Sequence, residues 1–118
     1  MTELNSLVPV VADAAVAITG NITNFITKTK AAGTIQRAQF EMLKNQTEKV
    51  LADARAYNTF SIVTTNLEQI ARTQEFIDTL IKQGRLHGKS LDMAMDQLLD
   101  LNDILRRNLK KFENGEMW

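Results

Sequence analysis

Four aspartates near the C-terminal end have the residue type and the spacing that metal binding or acid–base catalysis would require. They recur at helical intervals and are Asp92, Asp96, Asp100 and Asp103. In a helix these carboxylates share one face, where they could hold a cation or exchange a proton. A di-metal bundle also needs Glu-x-x-His pairs on facing helices, and the sequence contains none. We therefore favour a solvated face whose acids complement the positive N-terminal end of the helix.

Four basic residues follow the aspartates on the same predicted helix. They are Arg106, Arg107, Lys110 and Lys111. Such a cluster can contact the phosphates of nucleic acids or of lipid headgroups. The 14 basic and 14 acidic residues of the chain nevertheless cancel to a formal net charge of +0. We expect no nucleic-acid partner, because the helix dipole and an ion pair between Asp103 and Arg107 account for the cluster.

The single histidine of the chain, His87, lies in a predicted turn with Arg85 and Lys89. These three residues could form a small anion-binding tip, although exposed turn residues are the simpler interpretation. With no cysteine and one histidine, the chain lacks the groups that nucleophilic catalysis and thiolate zinc sites use. It also lacks a glycine-rich phosphate loop. The sequence therefore predicts no enzyme activity, no catalytic residue, no metal site and no cofactor.

A single helical domain spanning residues 1–118 is expected to position these side chains. Its first helix, 5–32, is expected to end in a turn at Gly33. Residues 4–27 carry one charge, Asp13, and are otherwise apolar, small or uncharged. Because a helix that is apolar or small on nearly every side needs neighbours on every side, this helix predicts a partner, a second copy or a membrane.

The middle of the chain, 34–83, keeps a helical rhythm of apolar residues, but residues 58–66 are its weak point. There, β-branched and cap-forming residues crowd together. A break would give four helices of about 20–25 residues, suited to an up-down-up-down bundle. Without a break, one helix of roughly 50 residues would extend for roughly 75 Å. Because the apolar rhythm keeps its phase across the weak segment, we favour the continuous helix.

The last helix, 90–113, has the clearest repeat in the sequence. Its heptad positions are Leu91, Leu98, Leu105 and Phe112. A short turn with Gly84 and Gly88 precedes it and predicts an antiparallel neighbour. Residues 114–118 form a tail whose Trp118 is expected to dock on this bundle or on a neighbouring copy.

These patterns predict an all-α fold with three or four amphipathic helices in an antiparallel bundle or an extended coiled-coil arrangement. A continuous middle helix would leave each end of the molecule as a two-helix pair with open apolar faces, which copies of the chain would cover. The residues expected at that interface are apolar residues of the first helix, the last helix and the tail: Leu7, Val11, Ala15, Ile18, Ile22, Phe25, Leu98, Leu105, Leu109, Phe112 and Trp118.

The expected function is therefore non-catalytic and exercised through protein–protein contacts. We favour a self-assembling structural subunit whose partner is itself, as a homo-oligomer or polymer. One alternative is a monomeric four-helix bundle that binds one other helical protein, as adaptors, immunity proteins, antitoxins and export chaperones do. Another alternative is a membrane-active helical protein.

Membrane contact is the less favoured of these alternatives. The apolar run 7–18 includes Asp13 and is shorter than the roughly 20 residues that a membrane span needs. No positively charged segment precedes this run, since Glu3 stands ahead of it and the first lysine is Lys28. No secretory signal is recognisable for the same reason. We expect a cytoplasmic protein, with leaderless export as the alternative.

Overall fold

The computed structural model of this chain describes residues 2–56 and 61–113. This part of the chain contains no strand, and its helices pack against one another as a bundle. The four helices are α1 (Thr2–Ala32), α2 (Arg37–Arg55), α3 (Ser61–Lys82) and α4 (Lys89–Glu113). The predicted all-α fold is confirmed.

The middle of the chain forms two antiparallel helices, so the prediction of one continuous helix over 34–83 is wrong. α2 ends at Arg55, and α3 follows as a separate helix. Two ion pairs join them: Lys44 Nζ lies 3.6 Å from a carboxylate oxygen of Asp78, and Arg55 Nε lies 3.5 Å from one of Glu68. Folding back lets each helix bury its apolar face against the other. The apolar rhythm stays in phase because both helices have the same period.

Residues 61–66 of the predicted weak segment, 58–66, are helical. α3 is helical from Ser61 onwards, and both Val63 and Leu67 are completely buried. Residues 57–60 lie outside the described part of the chain. Burial in the core outweighs the modest helix preference of β-branched residues, so most of the predicted weak segment is helical.

Each helix packs against the next one in the sequence, and α4 closes the bundle by packing against α1. This is the up-down-up-down arrangement of a four-helix bundle. Glycines with positive φ lie in two of the connections, Gly33 at 73° and Gly84 at 65°. The turns predicted at these two positions are confirmed, because only glycine adopts this conformation without strain.

Ion pairs also join neighbouring helices across the bundle. The hydrogen bond from Lys82, together with the nearby charge of Lys44, lowers the pKa of the Asp78 carboxyl although desolvation opposes the change. The same hydrogen bond raises the pKa of Lys82, whose Nζ lies 2.8 Å from Asp78. Lys30 on α1 donates a hydrogen bond to Asp96 on α4, which raises the pKa of Lys30. Asp78 thus links α3 to Lys44 of α2, Lys30 links α1 to Asp96 of α4, and the pair of Lys82 with Asp78 lies within α3.

A polar layer in the core consists of two hydrogen-bonded groups, one between α2 and α3 and one between α4 and α1. Gln74 Nε2, on α3, donates to Thr47 Oγ1, on α2, at 3.1 Å. Asn102 Nδ2, on α4, donates to the carbonyl oxygen of Thr19 and to Oγ1 of Thr23, both on α1 and both at 3.1 Å. Buried polar contacts of this kind fix the register of packed helices.

The two halves of this polar layer lie at the same height. Asn21, between the two threonines of α1, donates its Nδ2 to Gln46 Oε1 at 3.2 Å, next to Thr47 on α2. Within the described residues, Asn102 Oδ1 is buried without a hydrogen-bond partner. A buried acceptor without a partner lowers stability, so this layer is expected to cost stability while it specifies the register.

Replacing Asn102 with leucine is expected to raise the free energy of unfolding by about 1 kcal/mol. The change removes the unpaired oxygen, and it leaves the carbonyl of Thr19 still bonded by Thr23 Oγ1 at 2.9 Å. Chemical denaturation of the wild type and the variant measures the difference. The matched control is Gln97→Leu, at an exposed position of the same helix, which should leave stability unchanged. A destabilised Asn102→Leu variant would show that Asn102 Oδ1 is satisfied in solution or that the site is too tight for leucine.

Candidate functional site

Most residues predicted to lie between copies of the chain are buried inside a single copy. In the described part of the chain the buried ones are Val11, Ala15, Ile18, Ile22, Phe25, Leu98, Leu105 and Leu109. The two seams therefore face each other and α2 and α3, and they do not form an outer surface. The fold-back between α2 and α3 explains this result. Four short helices close a core that a two-helix pair at each end of the molecule would leave open. The side chains of Leu7 and Phe112, and all of the tail with Trp118, lie outside the described residues.

The four aspartates do not converge on a metal or proton-transfer site. All four are exposed on α4, and Asp96 bonds to Lys30. No group of three or more histidine, cysteine or acidic side chains placed to hold a metal ion occurs among the described residues. His87 is exposed in the turn before α4, where its backbone N–H donates to Ser90 Oγ at 3.1 Å.

A groove of about 730 Å³ lies beside α1 and α4. Two smaller clefts measure about 170 and about 270 Å³. The described residues that line the groove are Val16, Thr19, Asp100, Asp103, Ile104, Arg106, Arg107, Leu109 and Lys110. It therefore combines an apolar base with a charged rim, and we take it as the candidate functional site.

Val16 and Thr19 are the residues of α1 that line this groove. Ala12 and Ala15 are buried at the side of α1 that packs into the bundle, and Gly20 lies in open space. Val16 stands between them and is 40% exposed. The contacts of Asn102 with α1 set the height of α4, so that the long side chains after Asn102 form the opposite wall. Val16 and Thr19 of α1 thus form one wall of the groove, and residues 100–110 of α4 supply the other.

The charged rim of the groove is not neutralised within the described part of the chain. Elsewhere in the described part of the chain Lys30, Lys44, Arg55 and Lys82 form ion pairs. Among the described residues, no carboxylate lies within 4.0 Å of the side-chain nitrogens of Arg107 or Lys110, so the expected ion pair between Asp103 and Arg107 is not formed. These exposed charges remain available to a binding partner.

Sequence reasoning treated these charges as two separate clusters and missed the groove. The signal that identifies the site is the spacing of its charges, because Asp100, Asp103, Arg107 and Lys110 follow each other at intervals of three, four and three. This is the spacing of heptad contact positions. It places the four residues along one stripe on the outer face of α4, opposite the apolar heptad residues that face the core.

α1 also satisfies the length and composition of a membrane-crossing helix. The stretch Val10–Ala32 has a mean hydropathy of 1.3. The expectation that the apolar run 7–18 is too short to span a membrane stays a prediction, because this criterion rests on length and composition alone. The stretch Val10–Ala32 supplies a large part of the bundle core, including Ile22 and Phe25, and a core helix can meet the same criterion.

No protein-family model, no curated protein and no solved structure matches the chain.

Proposed function

We propose that this chain is a non-catalytic protein-interaction subunit that binds its partner at the groove beside α1 and α4. The observation that carries the proposal is the groove itself, which joins an exposed valine, Val16, to basic side chains that have no partner within the described residues. Protein interfaces typically combine such an apolar centre with a charged rim.

The fold supports a binding role of this kind. Because the apolar seams are buried within one chain, a second copy is not needed to complete the core. The bundle is thus a rigid scaffold, and its interactions have to occur at the outer faces of its helices. The other exposed large apolar residues do not line the groove: Met42, Ile62 and Phe76 stand on α2 and α3, and Val10 and Met93 stand on α1 and α4.

Two forms of this function use the same surface. A structural subunit would bind other copies of itself there, whereas an adaptor would bind a different protein. Both rely on the shape and the charge of the groove, and neither needs a cofactor. Membrane insertion is a weaker candidate, since it would require α1 to leave a core in which Ile22 and Phe25 are buried.

Photo-cross-linking from the groove tests this function. We would replace Val16 with the photoreactive residue p-benzoylphenylalanine and irradiate cells that naturally produce the protein. The matched control carries the same residue at Met42, which is 62% exposed on α2. We expect a discrete covalent adduct from position 16 and none from position 42.

A further pair of substitutions makes this test specific for the charged rim. Changing Arg106 and Lys110 to glutamate should abolish the adduct formed from position 16, because the partner meets those side chains at the groove. Circular dichroism checks that the bundle remains folded. No adduct at position 16, or an adduct that ignores the charge reversal, would contradict the proposed function.

A further inference from the structure

The stripe of charges on α4 is complementary to its own reverse, because acids stand at one end and bases at the other. From the N-terminal to the C-terminal end it consists of Asp100, Asp103, Arg107 and Lys110, two acids followed by two bases. All four side chains are exposed, line the groove and make no ion pair within the described part of the chain. Their spacing is that of the contact positions of a two-stranded coiled coil.

When a second copy of α4 lies antiparallel to the first, opposite charges face each other. In an antiparallel pair with its two-fold axis at the height of Leu105, Asp103 of each copy lies opposite Arg107 of the other. Asp100 then lies opposite Lys110. A parallel pair would instead place like charges side by side, which is unfavourable. The stripe therefore distinguishes one orientation of a second copy from the other.

We infer that the partner at the groove is a second copy of this chain, bound antiparallel along the outer face of α4. The inference rests on the proposed function, because the same groove forms the interface. A two-fold symmetric contact requires a surface that complements itself, and this stripe meets that requirement. Ile104 and Val16 also line the groove and would supply apolar contact.

The association is weak and sensitive to salt. Exposed ion pairs contribute little individually and are screened as ionic strength rises. Each half of the interface contributes two such pairs, so the dimer forms at high protein concentration and low salt. This behaviour separates the contact from a permanent oligomer with a large apolar interface.

Light scattering behind a sizing column measures the mass of the purified chain, over a dilution series that reaches about 1 mM. The wild type is expected to shift from monomer to dimer in about 50 mM salt and to remain monomeric in about 500 mM salt. The single variants Asp103→Arg and Arg107→Asp each place like charges opposite one another. Each should raise the dissociation constant by roughly tenfold or more.

Mixing the two single variants is the decisive step. Asp103→Arg carries two bases at these positions and Arg107→Asp carries two acids, so an equimolar mixture should form a heterodimer although neither variant pairs with itself. The double variant Asp103→Arg/Arg107→Asp should dimerise again, because it restores opposite charges at both positions. A stability measurement confirms that each variant is folded.

Two results would overturn the inference. A wild type that stays monomeric throughout the low-salt dilution series contradicts self-association, and the cross-linking from Val16 then decides separately whether a different protein occupies the groove. If both single variants still dimerise, the dimer interface lies on another surface, which also contradicts the inference. Either result leaves the four-helix fold intact, so the failure of this inference is distinct from the failure of the proposed function.

Discussion

Replacing Phe40 with alanine is expected to lower the free energy of unfolding by about 3–5 kcal/mol. Phe40 is 1% exposed, and its ring centroid lies 5.8 Å from that of Phe25 on α1. Lys44 Nζ lies 6.0 Å from the same ring centroid. The substitution removes these contacts and leaves a cavity where α1 meets α2, which the rigid helices can fill only in part.

Phe76→Ala is the matched control for this prediction. Phe76 is the same residue type on a helix of the same bundle, but it is 56% exposed. Its replacement should change the free energy of unfolding by no more than about 0.5 kcal/mol, the usual range for surface positions. Urea denaturation followed by circular dichroism measures both variants. Equal losses of stability would show that Phe40 is not part of the core.

Ala15→Glu is expected to remove a large part of the stability of the bundle. Ala15 has no exposed surface, so a glutamate there would bury a carboxylate without a partner. The cost of an unpaired buried charge is about 3–5 kcal/mol, and the total stability of a small domain is only about 5–15 kcal/mol. We expect the thermal transition, followed by circular dichroism, to move to a lower temperature.

Ala17→Glu controls for the effect of the added charge itself. Ala17 lies on the same helix, two positions further along, and is exposed. It should leave the thermal transition almost unchanged. This comparison also separates the bundle from the assembly that the sequence alone suggests. If Ala15→Glu merely dissociated an oligomer into folded single chains, Ala15 would lie between copies and not within one.

The helices themselves follow from local signals in the sequence. The heptad of α4 is carried by Leu91, Leu98 and Leu105, all of which are fully or almost fully buried. The turn residues Gly33 and Gly84 adopt the positive φ that their type predicts. These features depend on residues within a few positions of one another, so composition and spacing are enough to identify them.

The fold-back between α2 and α3 does not follow from local signals. Both helices place apolar residues at the same period, so the phase of the pattern is the same for one long helix and for two short ones. What distinguishes the two is the pairing of Lys44 with Asp78 and of Thr47 with Gln74, contacts between positions far apart in the sequence. Single-sequence reasoning has no access to such pairings.

The candidate site was only partly recognisable for a similar reason. The sequence identifies the charges of α4 and their match to the helix dipole. It does not reveal that Val16 and Thr19 of α1 lie beside Arg106 and Lys110, because that requires the register set by Asn102. The prediction that the apolar seams lie between copies depends on a continuous middle helix, which the structure does not have.

The closing of the bundle by α4 against α1 has a consequence for the order of folding. The other three helix contacts join consecutive helices, whereas this one joins the two ends of the described chain. Contacts between distant positions require the largest loss of loop entropy before they form. The α1–α4 seam should therefore be the last to close and the first to open. A partner bound in the groove along this seam would stabilise the helix contact that forms last during folding.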